Sequence, residues 1–237
     1  MTVKYSLVIP CYNEENNIDP LINKAKKIID NEHCEIVLVN NGAYARTKEK
    51  IDSYSKKYSN IKCVDVEKNI GFGFGVFEGL RNTSGIIIGY THADLQTDPN
   101  DFLKAKKWIE KNDHLNKEFF IKGRRNKRKL IDRLFTNLMS VFETILFGKY
   151  MYDIGAQPVI FHRDFLNKLK LHPNNFMIEL YLYYVAKKNN YLIHRMDVDF
   201  PERLRDHGSN DSLIQKIKNS LIVLFYSIVL RVKLFLK

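Results

Sequence analysis

The sequence predicts an α/β domain built on a mostly parallel sheet with helices on both faces. Three observations lead there. Short apolar runs alternate with longer helical patterns, 237 residues suit one sizeable domain, and no internal repeat, low-complexity tract or linker interrupts the series.

Taken in order, Ser6 to Ile9 reads as a strand and Ile18 to Ile29 as an amphipathic helix. Glu35 to Val39 is a second strand and Lys48 to Tyr58 a second helix. Ile61 to Val66, a helix from Gly75 to Asn82, and a strand from Ile86 to Tyr90 complete the first half. In such sheets ligands bind at the carboxyl ends of the strands, which points to the loops opening at Pro10, Asn40, Glu67 and Thr91. Asp98-Pro99 has the form of an N-cap and first helical residue, opening a helix through Glu110. A strand near Phe119 to Lys122, a helix from Leu134 to Phe147 and a turn at Asp153 to Gln157 follow. Then come a strand near Val159, a helix from Phe176 to Lys188, a strand from Leu192 to Val198 and a last helix from Leu213 to Lys237. The organisation expected is a domain over 1–212 with a basic, apolar helix over 213–237.

The apolar share of 45% supports a packed core rather than disorder. A formal charge of +11 calls for an anionic partner: nucleic acid, an acidic membrane surface or a phosphorylated substrate. Cys11, Cys34 and Cys63 are far apart, lack metal-type spacing and sit in or beside apolar runs, so they read as reduced thiols in a reducing compartment. The chain enters its first strand at Tyr5 with neither a basic n-region nor an apolar h-region, which predicts no signal peptide.

The segment with most chemistry is Tyr90-Thr-His-Ala-Asp-Leu-Gln-Thr-Asp-Pro99, just after a strand. Alternate residues of extended chain point one way, so His92, Asp94 and Gln96 can share a face and hold a divalent cation. Oxygen ligands suit Mg²⁺ or Mn²⁺, and imidazole tilts the choice toward Mn²⁺ or a softer ion. The competing reading is a turn in which Asp94 and Asp98 only cap a helix. Gly71, Gly73 and Gly75 suggest a dinucleotide loop, but Val76 and Glu78 break the required spacing, and the first strand–helix turn lacks the glycines.

Several segments together resemble the family-2 glycosyltransferases, and most of all their polyprenyl-phosphate (dolichol-phosphate mannosyltransferase-like) branch. They are Ser6-Leu-Val-Ile-Pro-Cys-Tyr-Asn-Glu-Glu15, Asn69-Ile-Gly-Phe-Gly-Phe-Gly75 with Gly79, and Gly89 to Pro99. Gly123-Arg124, Asp153 and Arg205-Asp-His-Gly-Ser209 follow in the order of the family's later motifs. The resemblance implies the GT-A type, a nucleotide-binding α/β sandwich. It implies that Pro10, Tyr12 and Glu14 line a nucleoside pocket, with Asn40, Asn41, Gly71, Arg205 and Ser209 also in the donor-binding set. Asp94, with Gln96 and His92, would hold Mg²⁺ or Mn²⁺ on the donor diphosphate, where the metal neutralises the leaving group. Arg124, seconded by Arg128 or Arg133, would contact the acceptor phosphate. A lipid-phosphate acceptor needs no base; for a sugar hydroxyl, Asp153 is the candidate base, its alternative role being to cap a turn. The chain departs from the family at Val39-Asn-Asn-Gly-Ala43, where the motif is Val-Asp-Asp-Gly-Ser, and at His92, where it has aspartate. Both departures bear on which metal and which nucleotide are used.

From Lys122 to Arg133, seven Lys or Arg stand against Asp132 alone, followed by an apolar helix. A solvated loop is one reading. A lipid-phosphate site at a membrane is another. Nucleic acid is disfavoured, because no aromatic residues are interleaved. The last helix has ten uncharged residues, Leu221 to Leu230, between Lys216, Lys218 and Arg231, Lys233. A bilayer span needs about 20, so the helix reads either as lying in the interface or as docked on the domain. The function expected is a metal-dependent glycosyltransferase, peripheral on the cytoplasmic face. It would move sugar from a nucleotide sugar to a polyprenyl phosphate or surface glycan. The alternative is a non-catalytic basic module on the same fold.

Overall fold

The first strand, β1 (Tyr5–Cys11), is buried at every residue, as a strand covered on both faces must be. Tyr5, Leu7, Ile9 and Cys11 enter one core, and Val8 enters the other. In this computed structural model, residues 2–112, 117–126, 128–201 and 212–236 are described. The remaining strands are β2 (Cys34–Asn41), β3 (Ile61–Val66), β4 (Ile87–Tyr90), β5 (Phe119–Asn126), β6 (Val159–His162) and β7 (Leu192–Asp199). They form a seven-stranded sheet in the order β3-β2-β1-β4-β6-β5-β7. Only β6 runs against its neighbours β4 and β5; the other pairings are parallel. The carboxyl ends of six strands and the amino end of β6 therefore share one edge, and the candidate residues gather there.

One face is covered by α1 (Ile18–Lys24), α2 (Lys26–Ile29), α3 (Ala45–Lys57) and α5 (Asp101–Lys111) through Ile18, Leu21, Ile28, Ile51 and Phe102. The other is covered by α4 (Phe72–Arg81) and α7 (Met177–Lys188), through Val76, Phe77, Leu80 and nearly all of α7. Behind α7 lie α6 (Leu130–Phe147) and α8 (Leu213–Phe235).

Four expectations need correction. The helix expected over Ile18 to Ile29 breaks at Ala25, because Asn100 Nδ2 takes the Lys24 carbonyl (2.8 Å) and Ile28 N turns to Ala25 O. Asp98 is not the N-cap of α5: its carboxylate accepts from Asn100 N at 2.8 Å, closing a turn, and the helix starts at Asp101. The helix α4 begins three residues before Gly75, its first turn tied by Phe74 N to Asn174 O. Most of the basic stretch is not a loop, because β5 runs on to Asn126 against β7 and α6 opens at Leu130; Lys127 lies outside the described residues.

The α6 and α8 helices lie parallel. Asp132, Glu143 and the Leu146 carbonyl meet Lys216, Ser227 and Arg231 in the same order along both. Only Ser227 and Leu230 of α8 are buried. Leu130, Leu134, Leu138, Val141 and Ile145 of α6 stay exposed, as do Leu221, Phe225, Ile228 and Val232 of α8. Counting apolar residues beyond its flanking charges, α8 is long and apolar enough to cross a membrane, against the expectation drawn from ten uncharged residues.

Candidate active site at the carboxyl edge of the sheet

Tyr12 leaves the end of β1 with its ring 48% exposed, followed by Asn13 in the left-handed region (φ 56°). Asn13 Oδ1 accepts from Tyr44 N at 3.0 Å, fastening this loop to the one after β2. Glu14 is half-buried and accepts from Asn17 Nδ2 at 2.6 Å. Pro10 is buried inside β1, opposite Val39, so it shapes the strand end from within the sheet. Asn40 and Asn41 are buried at the end of β2. Asn40 donates to Asp65 of β3, and Asn41 donates to the Gly71 carbonyl at 3.2 Å. Gly71 caps α4 at φ 128°, and a Cβ there would strike the Asn174 carbonyl, so both conformation and space require glycine.

The segment after β4 shows the predicted alternation. His92, Asp94 and Gln96 are half-exposed, whereas Thr91, Ala93, Leu95 and Thr97 are buried. The chain bends there, with Leu95 at φ 63° and Asp94 Oδ1 accepting from Gln96 N at 3.1 Å. The His92 ring stacks on Phe72, centroids 4.7 Å apart, which fixes its plane. Among the described residues no three His, Cys, Asp or Glu side chains cluster as a metal cage. A carboxylate and an imidazole on one half-exposed face instead fit a divalent cation shared with an anionic ligand, whose oxygens would complete the shell.

A second cluster surrounds Asp153, which is buried and in the left-handed region (φ 47°). Its carboxylate accepts from Arg125 Nε at 2.7 Å, Arg125 Nη2, and Arg125 N at 2.9 Å. Arg195 Nη2 lies 3.7 Å away and Arg128 Nη1 3.9 Å away. Burial opposes its ionisation, but Arg125 and then Arg195 outweigh this and hold the carboxyl below its ordinary value. Such a group is a weak proton acceptor, which removes the physical basis for Asp153 as general base. Among the described residues three guanidinium groups surround this one carboxylate, which leaves an excess of positive charge in a largely enclosed site, a ready anion receptor. The Phe200 ring backs it, 5.1 Å from the Arg125 guanidinium, and neighbouring Pro201 meets Gln96 Nε2 at 3.5 Å.

The strand pleat separates two adjacent arginines. Arg124 points to the exposed side and pairs bidentately with Asp197 (2.5 and 2.8 Å), away from the cluster. The side chains that gather are Arg125, Arg128 and Arg195; Arg125 and Arg195 were missed in the sequence. No local signal separates the two: a period of two puts Arg124 on the face of buried Lys122, yet Arg124 is exposed and Arg125 half-buried at the strand's end. Lys122 is no surface charge: it donates to Ala156 O (2.8 Å) and Glu179 (3.0 Å), and Gln157 also binds Glu179 (2.6 Å). Arg133 is exposed within α6, and Arg205 and Ser209 lie outside the described residues.

The model of glycosyl transferase family 2 matches residues 6–178, from β1 through the start of α7. The chain belongs to that family. Among the curated relatives of this family-2 chain are a dolichyl-phosphate beta-glucosyltransferase of Trichomonas vaginalis and a dodecaprenyl-phosphate galacturonate synthase of Rhizobium johnstonii. The first is 28% identical over 51% of this chain and 38% of its own length. The second is 24% identical over 72% of this chain and 51% of its own. The chain thus spans about half or less of these relatives. Glucosyl-3-phosphoglycerate synthase of Mycobacterium tuberculosis, solved with Mn²⁺ and UDP, superposes with a TM-score of 0.69. It is 16% identical, with 97% of this chain and 80% of that chain covered. The family-2 fold is therefore the GT-A fold expected.

Proposed function

We propose that this chain transfers a sugar from a nucleotide sugar to a polyprenyl phosphate at the cytoplasmic face of a membrane. The observation that carries the acceptor is the Asp153–Arg125–Arg128–Arg195 cluster at the foot of α6. The helix α6 meets the cluster through Thr136 and Ser140 and carries exposed apolar residues elsewhere on its surface, as does α8, for contact with a hydrocarbon tail. The relatives named for transfer to dolichyl and dodecaprenyl phosphate support the same class.

Arg125, Arg128 and Arg195 bind and orient the acceptor phosphate, while Asp153, kept ionised, holds the arginines in place. The phosphate oxygen is already anionic and needs no base. It forms a bond to the anomeric carbon as that carbon's bond to the nucleoside diphosphate breaks, with inversion. Tyr12, Glu14, Asn40 and Asn41 line the nucleoside side. Asp94, His92 and Gln96 would hold the divalent cation, which supplies charge neutralisation for the departing diphosphate. A structural neighbour on the same fold was solved with Mn²⁺ and UDP, which supports a divalent cation and a nucleotide donor as a class. The net charge of +11 and the α6–α8 face favour attachment to an anionic leaflet.

The test supplies radiolabelled nucleotide sugars, a short polyprenyl phosphate and Mg²⁺ or Mn²⁺, and follows label into organic-extractable lipid. Metal-dependent labelling that the phosphate-free polyprenol does not support is expected. No nucleotide-sugar binding, together with salt-steep affinity for nucleic acid, would replace the enzyme with a basic binding module.

A further inference from the structure

We infer that Lys122, Gln157 and Glu179 are positioning residues of the acceptor site, because they fix the turn over residues 153–157 in the shape that lets one carboxylate gather three arginines. The inference rests on the polyprenyl-phosphate reading above and adds to it the buried residues that set the affinity for the phosphate.

The turn needs holding. Asp153 sits in the left-handed region at φ 47°, which a residue with a Cβ keeps only where its surroundings enforce it. Ala156 N closes the turn by donating to Asp153 O at 3.1 Å. Two ties fix its start: Arg195 Nη1 donates to the Tyr152 carbonyl at 2.9 Å, and Asp153 N donates to Ser140 Oγ of α6 at 3.4 Å. The buried trio fixes its end. Lys122 of β5 donates to Ala156 O at 2.8 Å and to Glu179 Oε2 of α7 at 3.0 Å. Gln157 Nε2 donates to Glu179 Oε1 at 2.6 Å. One carboxylate thus joins a strand, a helix and the turn. Gly123 closes the remaining side: its N–H donates to Pro158 O at 3.0 Å, and a Cβ on it would strike the Gln157 carbonyl. The close approach of this turn to β5 is what requires the glycine of Gly123-Arg124.

As packing alone, the trio is a poor choice. Lys122, Gln157 and Glu179 are all buried, and a buried ion pair is often no better for stability than apolar side chains of the same volume. Gln157 Oε1 is buried with no hydrogen-bond partner among the described residues, which destabilises further. Apolar residues would fill this space, but they could not donate to the Ala156 carbonyl or fix the direction of the Gln157 amide. Direction is what the polar groups supply. Glu179 balances the Lys122 charge, so the pair holds the turn without adding net charge to the anion receptor.

Two variants of the full chain test this, each assayed for Tm, for KM toward a short polyprenyl phosphate and for nucleotide Kd. Lys122→Met combined with Glu179→Gln removes both charges and the bond to Ala156 at nearly constant volume. Its Tm should stay near wild type while the acceptor KM rises about tenfold or more and the nucleotide Kd changes by less than about twofold. Gln157→Met severs one bond and removes the unpaired oxygen. Its Tm should hold or rise while the acceptor KM rises at least about threefold. A merely structural role would move Tm and leave KM alone. A wild-type acceptor KM in Gln157→Met, or in the folded double variant, would overturn the inference and leave the transferase reading intact; if the double variant does not fold, Gln157→Met decides. Absence of lipid labelling by the wild-type chain would overturn the polyprenyl-phosphate reading and this inference with it.

Discussion

Glu143 of α6 is fully buried and takes its hydrogen bond from Ser227 of α8, while its second oxygen has no hydrogen-bond partner among the described residues. Burial pushes its carboxyl up from 4.5 to about 7. The unfolded chain thus releases this proton near pH 4.5 and the native chain near pH 7. Between those values the unfolded state binds fewer protons, so stability falls as pH rises through that window and then levels off. The loss is on the order of 2–3 kcal/mol. Urea titrations from pH 4.5 to 8 should show this slope in the wild type, and Glu143→Gln should flatten it.

Asp94 is the carboxylate at the centre of the half-exposed face that also carries His92 and Gln96. Asp94→Asn should cost at least about 100-fold in transfer and abolish the metal response of nucleotide binding, with Tm unchanged. His92→Ala should weaken that response, and His92→Asp should shift it toward Mg²⁺. Steady-state rates and calorimetry with and without metal decide this; an unaltered metal response in Asp94→Asn would remove the cation from this face.

The arginines around Asp153 are expected to act on the acceptor alone. Arg128→Ala and Arg195→Ala should each raise KM for the polyprenyl phosphate about tenfold or more and leave the nucleotide Kd alone. Arg124→Ala should change either value by less than about threefold, because its partner is the exposed Asp197. An Arg124 effect larger than the other two would restore the assignment made from the motif.

Membrane attachment can be tested without disturbing the buried side of α8. Leu221→Glu with Phe225→Glu changes only exposed positions and spares Ser227 and Leu230. Vesicle co-sedimentation should fall sharply, anionic vesicles should capture more wild-type protein than neutral ones, and salt should weaken capture. Capture indifferent to lipid charge, salt and substitution would make α6 and α8 internal packing elements only.

The elements were largely legible because strand and helix periods are local. The run Ser6 to Ile9 and the Gly-rich entry to α4 could be placed within a few residues. So could the half-exposed face shared by His92, Asp94 and Gln96, since a period of two is written into the segment. What went astray depended on distant partners. The break at Ala25 comes from Asn100, 75 residues on, and the extension of β5 needed β7 beside it. The choice between Arg124 and Arg125 followed from that pairing.

By itself the sequence determined the parallel α/β alternation, the family-2 motifs at strand ends and the apolar, basic character of the last helix. Each depends on side-chain chemistry and spacing within a dozen residues. Only the tertiary structure decided that Arg195 joins Arg125 around Asp153, that Asp65 stands beside Asn40, and that α8 lies parallel to α6 over a buried Glu143. Those relations join residues 25 to 84 positions apart. Local periodicity selects the face a side chain occupies, but strand register and helix packing select what stands opposite it.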